Sequence, residues 1–214
     1  MSRFEIPAPG EFHIYHVISE GDEKILSDFE KNRYAEFKNQ DAALIYLKGH
    51  CAARNLAASY TRKNPSELEF HTAPEGKPFF PCLPNLHFNL SHSGDDIFIA
   101  FSCDPVGFDI EKRSRKADFQ KLSTRYFQPG EIQLMNASSK PESLAFLELW
   151  TAKEAMLKLL GTGIASGLDK SLVFNEEEGA FAETKIHFRR YFSGDLIGTL
   201  ASFSKIRQLH EFTY

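Results

Sequence analysis

Two long stretches of the sequence have the apolar spacing of an α-helix. Residues 41–60 repeat apolar side chains every three or four positions, and Asp41 is suited to cap the first turn. Residues 141–160 are apolar on nearly every side, which is typical of a buried helix, and Gly161 then provides a stop signal. The sequence therefore predicts two long helices, one in each half of the chain.

Shorter apolar runs predict β-strands around these helices. The runs lie at residues 12–18, 86–90, 97–102, 106–111, 171–174, 185–192 and 196–203. Residues 91–95 predict a turn, and the runs 97–102 and 106–111 predict a hairpin. Residues 74–84 contain four prolines and one glycine, which indicates an irregular loop and a candidate seam between two halves. The uneven alternation of helices and hairpins favours an α+β fold over a doubly wound parallel sheet.

Composition narrows the class of protein. With 214 residues, 42% of them hydrophobic, the chain can bury a substantial core in one large domain or two small ones. Its net charge of −4 argues against a dedicated nucleic-acid binder. No run approaches the roughly 18 apolar residues that cross a bilayer, and the N-terminus lacks the apolar core of a signal peptide. Three scattered cysteines without a C-x-x-C pair favour a reduced, cytoplasmic protein and do not support a zinc site.

The strand predicted at residues 106–111 carries two carboxylates on one face. Because side chains alternate along a strand, Asp109 and Glu111 point away from the core side of Phe108. The two acids repel each other unless a cation lies between them, and a hard divalent cation such as Mg²⁺ prefers oxygen ligands of this kind. Gly107 leaves space beside them for a ligand. The same pattern also suits an edge strand with a solvated acidic face.

Three further segments offer groups that suit a phosphate. On the second long helix, Glu154 and Lys158 share one face, either as a surface ion pair or as groups facing a polar cavity. Ser91 and His92 lie in the predicted turn, which offers N–H groups and an imidazole, or is simply a polar turn. Lys77 adds a cation in the proline-rich loop. Together with the acids, these groups suit metal-assisted chemistry on a phosphate ester or anhydride.

Four short motifs occur in an order that is characteristic of one enzyme family. They are Gly76-Lys77-Pro78, Phe88-Asn89-Leu90-Ser91-His92-Ser93, Val106-Gly107-Phe108-Asp109-Ile110-Glu111, and Trp150-Thr151-Ala152-Lys153-Glu154-Ala155 followed by Lys158. With these gaps, the chain resembles the 4'-phosphopantetheinyl transferases of the surfactin-synthetase-activating type over about residues 41–164. The sequence has neither a G-x-x-x-x-G-K-[ST] loop nor a G-x-S-x-G motif, which disfavours common kinase and hydrolase classes.

The resemblance implies a fold and a reaction. Such enzymes transfer the 4'-phosphopantetheine group of coenzyme A to a serine of an apo acyl or peptidyl carrier protein and release adenosine 3',5'-bisphosphate. The implied metal cofactor is Mg²⁺, or Mn²⁺ in its place. The implied fold is an α+β pseudo-dimer of two similar halves, residues 1–104 and 105–214, with the active site in the cleft between them. We expect a monomer that works in the cytoplasm and binds neither nucleic acid nor a membrane.

The resemblance also implies roles for individual residues. Asp109, Glu111 and Glu154 would hold the metal. Glu154 would also accept the serine proton, directly or through water, and Lys158 would act on the pyrophosphate as a catalytic and cofactor-binding group. The remaining cofactor contacts would be Lys77 and Pro78 at the adenine, Ser91 and His92 at the 3'-phosphate, and Arg54, which could equally be a structural tie. Lys153 matches the family motif without an assigned role.

Other parts of the pattern leave more than one interpretation. Tyr46 stands where the family often has a small hydroxyl residue. The carrier would dock beside the cleft on residues 112–140, whose aromatic and leucine side chains either form that surface or belong to the core. They are Phe119, Leu122, Tyr126 and Phe127.

Two other functions stay open from the sequence. A non-catalytic module could bind coenzyme A or a carrier, although such a protein would not need the complete set of acids. A Mg²⁺-dependent phosphodiesterase or nuclease could use the same acids, although the negative net charge disfavours a nucleic-acid substrate.

Overall fold

The computed structural model describes residues 4–74, 76–163, 167–168 and 170–214. Within these residues the chain forms five α-helices and eleven β-strands. The helices are α1 (Asp28–Ala35), α2 (Gln40–Thr61), α3 (Phe119–Tyr126), α4 (Pro129–Ala137) and α5 (Glu142–Leu160). The strands are β1 (Glu11–Val17), β2 (His71–Thr72), β3 (Pro78–Phe79), β4 (His87–Ser93), β5 (Asp96–Ser102), β6 (Gly107–Lys112), β7 (Ser171–Val173), β8 (Glu178–Phe181), β9 (Thr184–Ser193), β10 (Leu196–Ser202) and β11 (Gln208–Thr213). The first three residues of the N-terminal segment and Ile164, the end of the motif-bearing segment, lie outside the described residues.

The strands form two main sheets. The first has the order β11-β1-β5-β4, and the second has the order β6-β10-β9-β8-β7. Neighbouring strands run antiparallel, apart from β1 and β11, which are parallel. Strand β11 therefore brings the end of the chain back to the first sheet. This mixture of helices with largely antiparallel sheets confirms the predicted α+β class. No helix of the described part is both long and apolar enough to cross a membrane.

Three apolar clusters show how the layers pack. Helix α2 covers the outer face of the first sheet, where Leu56 lies in one cluster with Tyr15 and Ile99. Helix α5 covers the outer face of the second sheet, where Met156 shares a cluster with Ile197. Between the sheets lies a third cluster, which both sheets supply. The order of layers is therefore α2, first sheet, second sheet and α5, with the two sheets face to face.

The two long helices agree with the sequence prediction, with one correction. Helix α5 ends at Gly161, which adopts a φ of 74° as the predicted stop signal requires. Helix α2 is capped by Asn39, and not by Asp41, because the Asn39 side chain accepts a hydrogen bond from the Ala42 amide.

The turn predicted at residues 91–95 is confined to Gly94 and Asp95, because β4 continues through Ser93. Strand β4 pairs with β5 as far as Ser93 and Asp96, so the connection has only two residues. Gly94 opens it with a φ of 58°, a conformation that such a tight hairpin needs. Ser91 and His92 are therefore strand residues on opposite faces of the first sheet.

The hairpin predicted between residues 97–102 and 106–111 is wrong. Strand β6 pairs with β10, in the second sheet. Its apolar face instead packs against the face of the first sheet, where Phe108 meets Phe98 with ring centroids 6.4 Å apart. Strand β6 lies in the second sheet because Phe108 and Ile110 are buried between the two sheets there. The prediction that the apolar residues of β6 face the core is confirmed.

Candidate active site

Strands β4 and β6 meet edge to edge, and side chains of β4 join them. The Asn89 side-chain oxygen accepts a hydrogen bond from the Phe108 amide at 2.7 Å, and the Ser91 hydroxyl accepts one from the Ile110 amide at 3.2 Å. Ser93 continues the series with the Lys112 amide at 3.0 Å. Because every second residue of β4 takes part, this seam holds the backbone of β6 in register with β4.

The same two serines hold the acids of β6. The Ser91 hydroxyl donates to Asp109 Oδ1 at 3.0 Å, and the Ser93 hydroxyl donates to Glu111 Oε2 at 3.1 Å. Asp109 is 6% exposed. Ser91 from the first sheet and Asp109 from the second thus form one polar cluster at the line where the sheets meet.

Helix α5 adds a cation to this cluster. Lys158 Nζ lies 2.7 Å from Asp109 Oδ1 and 2.8 Å from the Ser91 hydroxyl oxygen. Glu154 lies one turn earlier on the same face of α5. Burial, and after it the charge of Asp109, raise the pKa of Glu154 to about 7. The structure therefore brings together Ser91, Asp109, Glu154 and Lys158, and the surface ion pair that the sequence left open for the helix is not formed.

Gly107 explains why α5 can lie so close to β6. A methyl group at this position would overlap the carbonyl oxygen of Ala155 and the amide nitrogen of Leu159, and would lie 2.9 Å from Leu159 Cα. These are backbone atoms of the helix, which cannot rotate away. The prediction that Gly107 leaves space for a ligand is therefore wrong, because helix α5 fills that space.

The chemistry of the acids in this cluster suits a hard divalent cation. Asp109 Oδ2 is buried and has no hydrogen-bond partner among the described residues. Leaving a buried carboxylate oxygen unpaired is costly, so its position points to a ligand that is bound from outside the chain. Asp109, Glu111 and Glu154 supply only oxygen atoms, which suits Mg²⁺ or Mn²⁺.

Arg115 belongs to the candidate site, although none of the four sequence motifs includes it. Its guanidinium pairs with Glu111 and lies over the Trp150 ring, with the central carbon 5.6 Å from the ring centroid. Its charge also acts to lower the pKa of Glu154. The spacing of four residues after Glu111 was a usable signal, but residues 113–121 are largely polar in sequence, which is typical of an exposed segment.

Lys77 ties the proline-rich loop to the second half of the chain. Its ammonium donates to the carbonyl oxygens of Val106 at 2.9 Å and Leu159 at 3.1 Å. The Leu159 carbonyl belongs to the last turn of α5, where carbonyl groups lack helical partners. Burial lowers the pKa of Lys77 to about 8. Lys77 thus supports the end of the helix that carries Lys158.

Pro78 lines an apolar cavity between α2 and β4. The cavity has a volume of about 200 Å³, and its walls include His50, Phe70 and Leu90. Tyr46, which stands where the family often has a small hydroxyl residue, stacks on His50 with ring centroids 3.9 Å apart. Its ring therefore packs beside the cavity.

Arg54 lies in the core of the first half. It is fully inaccessible, pairs with Glu30, and donates to the carbonyl oxygens of Pro65, at 2.9 Å, and Leu68. These bonds favour the structural tie over a cofactor contact. Burial alone would raise the pKa of Glu30, but hydrogen bonds from His50, Arg54 and Ser27 lower it to about 2.

Lys153 has a partner away from the acids of β6. Its ammonium lies 2.8 Å from Glu131 Oε2 of α4 and 2.6 Å from the Ser171 carbonyl oxygen of β7. Both Lys153 and Glu131 are buried. This ion pair joins α4, α5 and β7, which gives the motif lysine a structural role.

Comparisons with known proteins agree with the motifs. The sequence profile of the 4'-phosphopantetheinyl transferase superfamily matches residues 105–205, and a profile described as 4'-phosphopantetheinyl transferase, N-terminal, matches residues 21–104. The chain is 32% identical over 155 residues to 4'-phosphopantetheinyl transferase Sfp of Bacillus subtilis (strain 168), covering 72% of this chain and 68% of that relative. It is 35% identical over 158 residues to 4'-phosphopantetheinyl transferase psf-1 of Bacillus pumilus, covering 73% and 67%. The chain belongs to the 4'-phosphopantetheinyl transferase superfamily and is an Sfp-like enzyme of that family.

Proposed function

We propose that this enzyme transfers the 4'-phosphopantetheine group of coenzyme A to a serine of an apo acyl or peptidyl carrier protein and releases adenosine 3',5'-bisphosphate. The observation that carries the proposal is the buried Oδ2 of Asp109, which has no hydrogen-bond partner among the described residues. The other oxygen of Asp109 contacts Lys158, and the charge of Asp109 raises the pKa of Glu154. In a member of this family, such a cluster suits a metal ion and a diphosphate.

Three acids are proposed to hold the metal, Mg²⁺ or Mn²⁺. They are Asp109, Glu111 and Glu154. When bound, the ion would act as a Lewis acid that neutralises charge on the pyrophosphate. Ser91 and Ser93 orient two of these carboxylates through their hydroxyl groups. Arg115 pairs with Oε1 of Glu111, whose other oxygen accepts from Ser93.

Lys158 and Glu154 are proposed as the catalytic residues. Lys158 reaches the cluster as a cation and can donate to a pyrophosphate oxygen, which stabilises the charge that develops as the P–O bond breaks. Glu154 would take the proton of the attacking serine, directly or through water. Both lie on one face of α5, so a single helix presents the acceptor of the proton and the donor to the phosphate.

Coenzyme A is proposed to lie along β4, with its adenine at the cavity next to Pro78 and Lys77. The 3'-phosphate would meet His92, whose side chain is exposed, and Ser91, whose hydroxyl would then exchange one of its present partners. Lys158 would meet the pyrophosphate between this end and the acids.

The pseudo-dimer with halves 1–104 and 105–214 is likewise a proposal. In its support, each half contributes one sheet with a long helix on its outer face, and residues from both halves meet at Ser91 and Asp109. Strand β11 would then be an exchange from the second half to the first sheet. We expect a monomer in a reducing compartment such as the cytoplasm, in keeping with three free cysteines.

The carrier is proposed to dock beside the cleft on residues 112–140, which include α3 and α4. Phe127 is buried in the apolar core that surrounds α5. Phe119, Leu122 and Tyr126 of α3 are partly buried and pack against the same core. Leu134 of α4 is 42% exposed and is the better candidate for a contact.

The experiment is incubation of the purified chain with coenzyme A, Mg²⁺ and apo carriers from fatty-acid, polyketide and peptide pathways, followed by intact mass. A phosphopantetheinyl adduct on a carrier serine is the expected result. Absence of an adduct on every carrier would contradict the proposal. Tight coenzyme A binding without transfer would favour the binding module, and Mg²⁺-dependent cleavage of nucleic acid in a gel assay would favour the phosphodiesterase.

A further inference from the structure

A second cluster of ligating side chains lies far from the acids of β6. Glu11 and His13 are two positions apart on β1 and therefore share one face of the strand. His210 on β11 is the register partner of His13. Their strands lie at the β11 edge of the first sheet, whereas Ser91 lies on β4 at the opposite edge.

The two sites also face different layers. His13 contacts Phe212 and Tyr60 of the α2 side, with ring centroids 5.2 Å and 5.8 Å away. Ser91 points to β6 in the second sheet. The cluster on β1 and β11 is therefore separated from the candidate active site by the sheet itself.

The ligand atoms are as close as the donors around one metal ion. Glu11 Oε1 lies 3.2 Å from His13 Nε2 and 3.1 Å from His210 Nε2. The ligand atoms of all three residues lie within 4.8 Å of one another. Around a tetrahedral ion with bonds of roughly 2.0–2.2 Å, neighbouring donors are about 3.3–3.6 Å apart. Small side-chain movements therefore suffice to place an ion between the three.

Two ligands are oriented from behind by further hydrogen bonds. His13 Nδ1 lies 2.6 Å from the Tyr60 hydroxyl, which in turn lies 2.7 Å from the Tyr15 hydroxyl. Glu11 Oε2 accepts a hydrogen bond from the Ala8 amide at 3.0 Å, which leaves Oε1 towards the two imidazoles. This is the outer layer of bonds that usually fixes the ligands of a metal site. His210 remains 46% exposed, so a fourth position is open to water.

We propose that Glu11, His13 and His210 form a second metal site, for a transition-metal ion of the Zn²⁺ class. Two imidazoles and one carboxylate suit Zn²⁺, Co²⁺ or Ni²⁺, whereas Mg²⁺ prefers oxygen ligands. The ion would join β11 to β1, and thus the end of the chain to its beginning. Its role is structural, because β11 is an edge strand of the first sheet that is exposed at four of its six residues and, among the described strands, pairs with β1 alone.

The alternative is a hydrogen-bonded triad in which Glu11 accepts from one or both imidazoles. The two arrangements differ in their response to metal. The test uses the full chain without a polyhistidine tag, stripped with a chelator and titrated with Co²⁺ in the absence of coenzyme A. We expect one Co²⁺ per chain to show the intense visible absorption of a low-coordinate site, which separates it from any Co²⁺ on the oxygen ligands of the proposed active site, and we expect Zn²⁺ to displace it.

Three variants make the test specific. His210→Ala should weaken Co²⁺ binding by at least about tenfold, and Glu11→Gln, which keeps the shape of the side chain, should do the same. His71→Ala removes an exposed histidine on β2 and should change nothing. Zn²⁺ should also slow amide hydrogen exchange in β11 of the wild type, and not in His210→Ala. Failure of the wild type to bind Co²⁺ at millimolar metal, or equal affinity in wild type and both ligand variants, would overturn the proposal.

Discussion

Gly107→Ala tests how α5 is positioned against β6. The added methyl group would overlap backbone atoms at Ala155 and Leu159, so either α5 or β6 must move. Ordinary contact between such atoms requires about 3.5 Å, and the methyl would lie 2.9 Å from Leu159 Cα and closer still to the other two atoms. A side chain cannot rotate to relieve the overlap, because the neighbours belong to the main chain.

The overlap should change both the unfolding free energy and the rate of transfer. Overpacking of a core usually costs about 1–3 kcal/mol, and an overlap with helix backbone belongs at the upper end, so we expect a loss of about 3 kcal/mol of unfolding free energy. The same displacement moves Glu154 and Lys158 away from Asp109. A shift of about 1 Å at a catalytic group can cost roughly 100-fold in rate, so turnover should fall by about this factor even in the folded fraction.

The assay measures both quantities on the same preparations. Urea unfolding reports the free energy, and phosphopantetheinyl transfer to a carrier reports the rate at a temperature where the variant is folded. Gly130→Ala is the matched control for the unfolding free energy, because this glycine lies in α4 and an added methyl group would have no neighbouring atom within 4 Å. The wild type is the reference for the rate, because α4 belongs to the proposed carrier-docking surface. A Gly107→Ala variant as stable as Gly130→Ala and as active as the wild type would refute the close approach of α5 and β6.

Three further changes test separate features. Asp109→Asn should leave the fold intact and lower the rate of metal-dependent transfer by at least about 100-fold. Loss of a residue that only supports a metal ligand costs up to about 100-fold, and loss of a direct ligand should cost at least as much. An unchanged rate would remove Asp109 from the proposed metal site. Glu30→Gln should destabilise the protein by about 3 kcal/mol at pH 7, because a carboxyl with a pKa of about 2 in the folded chain contributes stability above its unfolded value of about 4.5 and loses it as the pH falls towards 2. The difference in unfolding free energy between wild type and Glu30→Gln should therefore shrink from about 3 kcal/mol at pH 7 to roughly 1.5 kcal/mol at pH 3, and a constant difference would disprove the ion pair with Arg54. Lys153→Met leaves Glu131 as an unpaired buried acid and should cost about 3–5 kcal/mol in urea unfolding, whereas a loss below about 1 kcal/mol would show that the pair is not buried as described.

Local features of the site followed from the sequence because they depend on neighbours along the chain. Side chains alternate between the two faces of a strand, so the sequence of β6 predicts Asp109 and Glu111 on the face opposite Phe108. The structure places Phe108 in the core and Asp109 against Lys158 of α5. The nearly continuous apolar character of α5 predicted a buried helix, and the order of four motifs identified the family.

Long-range partners were decided only in the folded chain. The polar residues Ser91 and Ser93 resemble a turn, yet they lie in a strand because their hydroxyl groups replace backbone acceptors for β6. Strand β6 pairs with β10 because its apolar face must be covered by the opposite sheet, and no local pattern specifies which sheet that is. His210 reaches His13 across almost the whole length of the chain. Spacing along a chain determines which side chains share a face, whereas close packing of distant surfaces determines what that face meets.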